Sequence, residues 1–362
     1  MKIIKPEARI IPKGDNPYKF IEMIGRTCYK SLDKITDDSA VKFVKGLVDR
    51  KHYAMLEHYW VHIVINALQS DVEEALERYA DDLRLYGGVS EFDKFVQVTG
   101  LNRTYVSAPL RVFLEFDEKV DMFTRINGHN YSVIDRVMAD ISRKFPELFD
   151  TEKWYTNEDY EPVEVLEEDE FIESMQNDFE DCGYACTVQE PMKHRTHTVL
   201  FVCDRGVSHE FVRHRVCNFA QESTRYCNYS KDKFGSEITV IKPCFFDRNP
   251  DTPDNVLWDD SCYTDWLRSC EESEQAYFRM IKKGATPQEA RSVLPNSLKT
   301  ELIITANEVE WQHIIDLRFS GVTGAPHPQM KEAMSKIVEN LYFESEGRLY
   351  YDPKAFGGMK NE

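Results

Sequence analysis

The chain has 362 residues, 42% of them hydrophobic and 30% charged, with a formal charge of −18. That length and apolar content suit a soluble globular protein with a large core, in one large domain or two smaller ones. The acidic balance disfavours a protein that coats nucleic acid, and no apolar run approaches the roughly 18 residues of a membrane span.

Met1-Lys2-Ile3-Ile4-Lys5-Pro6 has too short an apolar stretch for a secretory signal, so a cytoplasmic location is expected. Lys2 to Ile11 reads as an opening strand. Asn16 to Ser31 carries Phe20, Ile21, Ile24 and Cys28 at helical spacing, and Ala40 to Arg50 repeats the pattern with Val41, Val44, Leu47 and Val48. His52 and His58 then bracket a short segment that leads into the β-branched, aromatic run Tyr59 to Ile65, a strand. Taken alone, the two histidines read as residues satisfied by backbone at element ends.

Asp71 to Tyr86 fits an amphipathic helix, and Phe95 to Leu101 and Tyr105 to Leu114 fit further elements. Tyr131 to Phe145 is a helix by the spacing of Ile134, Val137, Met138 and Ile141. Glu147 to Asp181 holds fifteen acidic residues against Lys153 alone. It reads as a solvated, partly mobile acidic excursion; a lid or subunit-contact module is the alternative.

His197 to Asp204 is a strand that delivers the chain to its most unusual stretch, Val202 to Tyr229. Arg205, His209, Arg213, His214, Arg215 and Arg225 fall there, opposed by Asp204, Glu210 and Glu222. A helix from about Gly206 to Arg215 would put His209 and Arg213 on one face and Glu210 and His214 on the next. Guanidinium forks suit phosphate, and arginines beside Phe211 and Val212 need anionic partners. A solvated basic helix face is the plain alternative. The array reads as a site for a phosphorylated, multiply anionic ligand, with Gln221 to Tyr226 as a ligand-lining turn.

Glu237 to Pro243 is a short strand, Asn249 to Asp254 a linker and Asp260 to Lys283 a long helix. Thr286-Pro287-Gln288-Glu289 is a capping box with proline at the first helical position. Leu298 to Ala306 is a strand, Asn307 to Arg318 a helix, and Met330 to Tyr342 a closing helix. The nine cysteines are scattered without a CxxC pair and read as reduced thiols, with no metal site. No strand–GxGxxG–helix unit and no Walker A loop is present, so a Rossmann-type dinucleotide site is not indicated.

Arg213-His214-Arg215, seven residues, then Ser223 resembles the RHR-x7-S signature of the flavin-dependent thymidylate synthase family, ThyX, and Arg225-Tyr226 extends it in phase. His52 to His58 resembles that family's H-x-x-P-x-E-H segment, with Ala54 where Ser or Thr is common and Met55 in place of Pro. Ala290-Arg291-x-Val293-Leu294-Pro295, Thr305-x-Asn307 and His313-x3-Leu317-Arg318 follow in the family's order. Asn218, Ala220 and Gln221 depart from the commoner Ser, Asn and Glu, and Glu210 stands where Gln is frequent.

The resemblance implies an α+β fold with a central, mostly antiparallel sheet flanked by helices. Residues 1–66 and 194–342 would form the catalytic domain, 67–193 an inserted region and 343–362 a tail. It implies dUMP converted to dTMP with 5,10-methylenetetrahydrofolate as one-carbon donor and FAD, reduced by NADPH, as hydride source, in a homotetramer with shared sites. Glu210, Arg213, Gln221, Glu222, Ser223, Thr224, Arg225, Arg291 and Arg318 would contact the nucleotide. His52, Ala54, Arg213, His214, Arg215, Gln221, Asn307, Glu308, Val309 and His313 would contact the flavin. Arg318 is the candidate for stabilising charge on the pyrimidine, because a guanidinium stays protonated at any working pH. On its own it would read as dipole compensation at a helix C-terminus, worth about 0.3–1 kcal/mol. A family member that binds nucleotide or flavin without turnover is one alternative. A flavin- and folate-dependent methyltransferase acting on RNA uracil is another, which the −18 charge disfavours.

Overall fold

Pro6 decides how the chain begins. Having no N–H to give a strand ladder, it splits the expected opening strand into β1 (Lys2–Ile4) and β2 (Glu7–Ile10), which join different sheets. The computed structural model describes residues 1–74, 96–120, 132–154, 163–231, 234–247 and 260–356. Most of the expected helix Asp71 to Tyr86 and the linker Asn249 to Asp254 lie outside these.

The first layer continues with α1 (Pro17–Cys28), α2 (Ser39–Asp49), a 3-10 turn (Tyr53–His58) and β3 (Trp60–Ile65). Asn16 caps α1 by accepting the Lys19 N–H, with Pro17 at the first turn. The middle of the chain forms β4 (Gln97–Gly100), β5 (Thr104–Pro109), α3 (Leu110–Val120), α4 (Ser132–Lys144), β6 (Glu164–Leu166), α5 (Glu168–Asp181) and α6 (Gln189–His194). Then come β7 (Thr196–Asp204), α7 (Arg205–Phe211), β8 (Asn218–Gln221), β9 (Thr239–Ile241), α8 (Asp260–Lys282) and α9 (Pro287–Ala290). The C-terminal part is β10 (Lys299–Asn307), α10 (Glu308–Ile315), a π-helical turn (Asp316–Ser320), α11 (Pro328–Ser335) and α12 (Val338–Glu344).

Two antiparallel four-stranded sheets result, in the orders β2-β7-β10-β8 and β4-β5-β3-β6, with β1 and β9 as a separate parallel pair. The first sheet is built on the long pairing of β7 with β10, from Asp204↔Lys299 to Thr196↔Asn307. Period-two alternation sends Val199, Phe201, Leu302 and Ile304 to one face, where Phe211, Trp311, Ile314 and Met334 cover them. Leu200, Ala220 and Ile303 face the other way, onto α1, α2 and the second sheet. The architecture is α+β, with helices on antiparallel sheets.

The acidic segment corrects the sequence expectation. Where described, it is ordered structure: β6 pairs with β3, and α5 buries Phe171, Ile172 and Met175 against Val64 and Tyr105. The apolar residues at i, i+1 and i+4 hold it down despite the charge around them, while residues 155–162 lie outside the described part. Glu168, the first residue of α5, turns inward to the Thr196 hydroxyl and to Lys13. The closing helix also differs. It breaks at Ile337 (φ −133°), and the bend lets Met334, Ile337, Val338 and Leu341 all enter one core. Beyond it, Leu349 and Phe356 pack back on that core.

Candidate active site

Asp204 caps α7 by accepting the Val207 N–H at 2.8 Å and also accepts from Gln329 Nε2 at 2.9 Å. Burial pushes its carboxyl pKa up, against the lowering effect of the Val207 and Gly206 backbone N–H groups. The helix stops at Phe211, short of the expected Arg215. After it the chain tightens into i→i+3 bonds, Arg213 N–H to Glu210 O at 3.4 Å and His214 N–H to Phe211 O at 3.0 Å. Arg213-His214-Arg215 is therefore a turn. His209 and Arg213 do not share a helix face. The turn buries His214, 5% exposed, and leaves Arg213 and Arg215 exposed without a polar partner among the described residues.

His214 meets α10 and the π turn. Arg318 donates from Nε to His214 Nε2 at 3.0 Å, from one terminal nitrogen to Glu210 Oε2 at 2.9 Å, and from the other to the Glu210 carbonyl at 3.2 Å. His214 Nδ1 faces Glu310 Oε1 at 3.3 Å, and the His313 ring stands edge-on to His214 at 5.5 Å. The π turn that carries Arg318 closes at Gly321, whose φ of 76° favours glycine and where a Cβ would crowd the Gly324 carbonyl at 3.1 Å. Donor atoms of His214, Glu310 and His313 lie within 4.8 Å of one another. The Arg318 guanidinium uses the His214 Nε2 lone pair and sets a fixed positive charge beside it, so Arg318, His214 and Glu310 form a hydrogen-bonded chain.

β8 carries the chain about 10 Å, three steps of roughly 3.4 Å between its four residues, to a second polar group. There Ser223 N–H bonds the Cys28 carbonyl at the end of α1, and Ser223 Oγ accepts the Arg225 N–H at 3.3 Å. Arg225 Nε reaches Gln288 at 3.0 Å, and Arg291, just after α9, reaches Thr224 Oγ1 at 3.4 Å. The capping box of α9 is present as expected and fixes that loop. Arg225 and Arg291 are exposed. A cleft of about 660 Å³ opens at Glu222, the residue before Ser223, and is lined by Lys30, Tyr229 and Lys299 among others.

Several expected residues are committed elsewhere. Glu222 is buried and paired with Lys299 at 2.9 Å. Gln221 donates to Ser208 and Thr300. Glu308 is fully buried between Arg348 and His197. Asn307 caps α10 through the Glu310 N–H and donates to the Lys193 carbonyl. His52, Ala54 and Val309 are exposed, whereas His58 is buried on Thr305 at 2.7 Å. Glu310 was not singled out in the sequence, where an acid in a first helical turn reads as dipole complement. The cysteines are all free, and burial pushes the Cys203 and Cys217 thiols well above their ordinary range, which makes them poor nucleophiles.

Residues 153–342 match the family model described as thymidylate synthase complementing protein. The chain is 27% identical over 151 residues to the flavin-dependent thymidylate synthase of Pyrococcus furiosus, covering 41% of this chain and 56% of that protein. It is 31% identical over 121 residues to that of Corynebacterium efficiens, covering 32% and 46%. The chain thus spans about half the length of the curated relatives it matches. A crystal structure of a UMP/dUMP methylase from Streptomyces cacaoi, bound with 5-Br UMP, aligns with a TM-score of 0.37 and 20% identity over 46% of this chain and 74% of the other.

Proposed function

The chain belongs to the thymidylate synthase complementing protein family, and on that premise we propose that it is a flavin-dependent thymidylate synthase. It converts dUMP to dTMP, taking the one-carbon unit from 5,10-methylenetetrahydrofolate. FAD, when bound and reduced by NADPH, supplies the hydride that completes the methyl group. The observation that carries this reading is the arrangement of cationic donors in an anionic protein. Arg213 and Arg215 stand exposed and unpaired among the described residues, while Arg318 is held at three donor atoms. The free arginines fit a flavin diphosphate, a dianionic group that needs such forks.

Ser223, Thr224, Arg225 and Arg291 form the nucleotide phosphate group, and Arg318 stabilises negative charge developing on the pyrimidine as C5 becomes nucleophilic. Glu210 shares the Arg318 guanidinium, so a nucleotide engaging Arg318 competes with that carboxylate. A second copy completing the site, within a homotetramer, is the arrangement the family resemblance implies, and the exposed Arg213 and Arg215 leave room for it. Flavin-loaded protein is yellow, and it should oxidise NADPH faster when dUMP is added. A colourless protein that binds dUMP alone would sink the proposal in favour of a binding module.

A further inference from the structure

We propose that Glu310 is a positioning residue for Arg318 and acts through His214; this rests on the reading that Arg318 faces the pyrimidine. An arginine Nε–H can only donate, so the 3.0 Å contact makes His214 Nε2 an acceptor. A neutral imidazole that accepts at Nε2 carries its proton on Nδ1, and that nitrogen points at Glu310 Oε1, 3.3 Å away. His214 is 5% exposed, so solvent is poorly placed to replace either partner. The Glu310 backbone is held by the Asn307 cap, and its Oε1 also lies 3.9 Å from Cys217 Sγ. The carboxylate thus selects the tautomer, the tautomer offers a lone pair, and the lone pair anchors the Nε edge of Arg318. On its far side the guanidinium meets only Glu210 among the described residues. Without the His214 anchor it can pivot about that one residue.

Glu310→Gln tests this with a near-isosteric side chain. A glutamine amide can donate to Nδ1 and admit the opposite tautomer, whose Nε2–H would confront the Arg318 Nε–H. We expect kcat for dTMP formation to fall on the order of tenfold to 100-fold, as a displacement of about 1 Å produces, with KM for dUMP little changed. Glu310→Asp, which keeps the charge, should recover part of the loss. The second readout needs no turnover. In 15N-histidine-labelled protein, His214, assigned by its loss in His214→Asn, should be the Nδ1–H tautomer, and Glu310→Gln should shift it toward Nε2–H. An Nε2–H tautomer in the unaltered protein, or a Glu310→Gln variant with unchanged kcat and tautomer, overturns the proposal. If the unaltered protein makes no dTMP, the functional reading fails and the tautomer measurement alone decides whether Glu310 sets His214.

Discussion

Glu308 is fully buried and still ionised, which makes its partner Arg348 a sensitive point. The carboxylate accepts from Arg348 Nε at 2.8 Å and from a terminal Arg348 nitrogen at 2.9 Å, and it faces His197 Nε2 at 2.9 Å. Burial pushes its pKa up, but His197 and Arg348 outweigh that and hold it below the usual carboxylate range. Arg348→Ala removes two of the three donors and leaves a buried charge. Breaking a buried pair costs about 3–5 kcal/mol. Arg348 is 16% exposed, so water partly fills its place and the lower end, about 3 kcal/mol, is expected. With an unfolding entropy near 0.8 kcal/mol/K for a chain of this length, Tm should fall by about 4 °C. Urea unfolding followed by tryptophan fluorescence gives the free energy, and calorimetry gives Tm. The double variant Glu308→Met with Arg348→Met, which leaves no charge behind, should recover most of the loss. A loss below about 1 kcal/mol, or a double variant no better than Arg348→Ala, would refute the reasoning.

Acid should weaken the fold through its buried histidines. Burial pushes His58 and His194 down to about 3 from 6.5, and His62 downward too, so all three stay neutral when folded and protonate when unfolded. For His58 and His194 the contribution is complete above pH 6.5 and is lost as pH falls toward 3, at about 1.4 kcal/mol per pH unit for each group, and His62 adds to it in the same direction. The urea midpoint should therefore drop between pH 7 and 5, and a flat profile there would contradict the assignment. Arg318→Ala should abolish dTMP formation while the far-UV circular dichroism and Tm stay close to those of the unaltered protein; near-normal turnover would remove Arg318 from the mechanism. Mixing inactive Arg213→Ala and Arg225→Ala variants under subunit exchange should restore some turnover if each site draws on two copies. No recovery would place both groups in one chain's site.

What could be read from the sequence was mostly local. The Thr286 capping box and the β-branched runs of β7 and β10 carry their signals within a few residues, and they stand where expected. Charge was misleading. Fifteen acids in Glu147 to Asp181 outweighed the Phe171, Ile172 and Met175 stripe in the reading, though it is the stripe that packs. The end of α7 was missed because Val212 to Arg215 is compatible with a helix until His214 finds Glu310 and Arg318, nearly a hundred residues away in sequence. Glu308 and Glu310 show the same limit. Two similar acids in one helical turn differ because one faces Arg348 and the other His214, and only tertiary packing decides that.

The proposed reaction requires this chain to make C5 of a uracil nucleotide reactive with a flavin's help. Tritium release from C5-labelled dUMP tests it most directly. Release should require FAD with NADPH, be carried through to dTMP only with 5,10-methylenetetrahydrofolate, and vanish in Arg318→Ala. Release that proceeds equally without flavin, or no release under complete conditions, would contradict it.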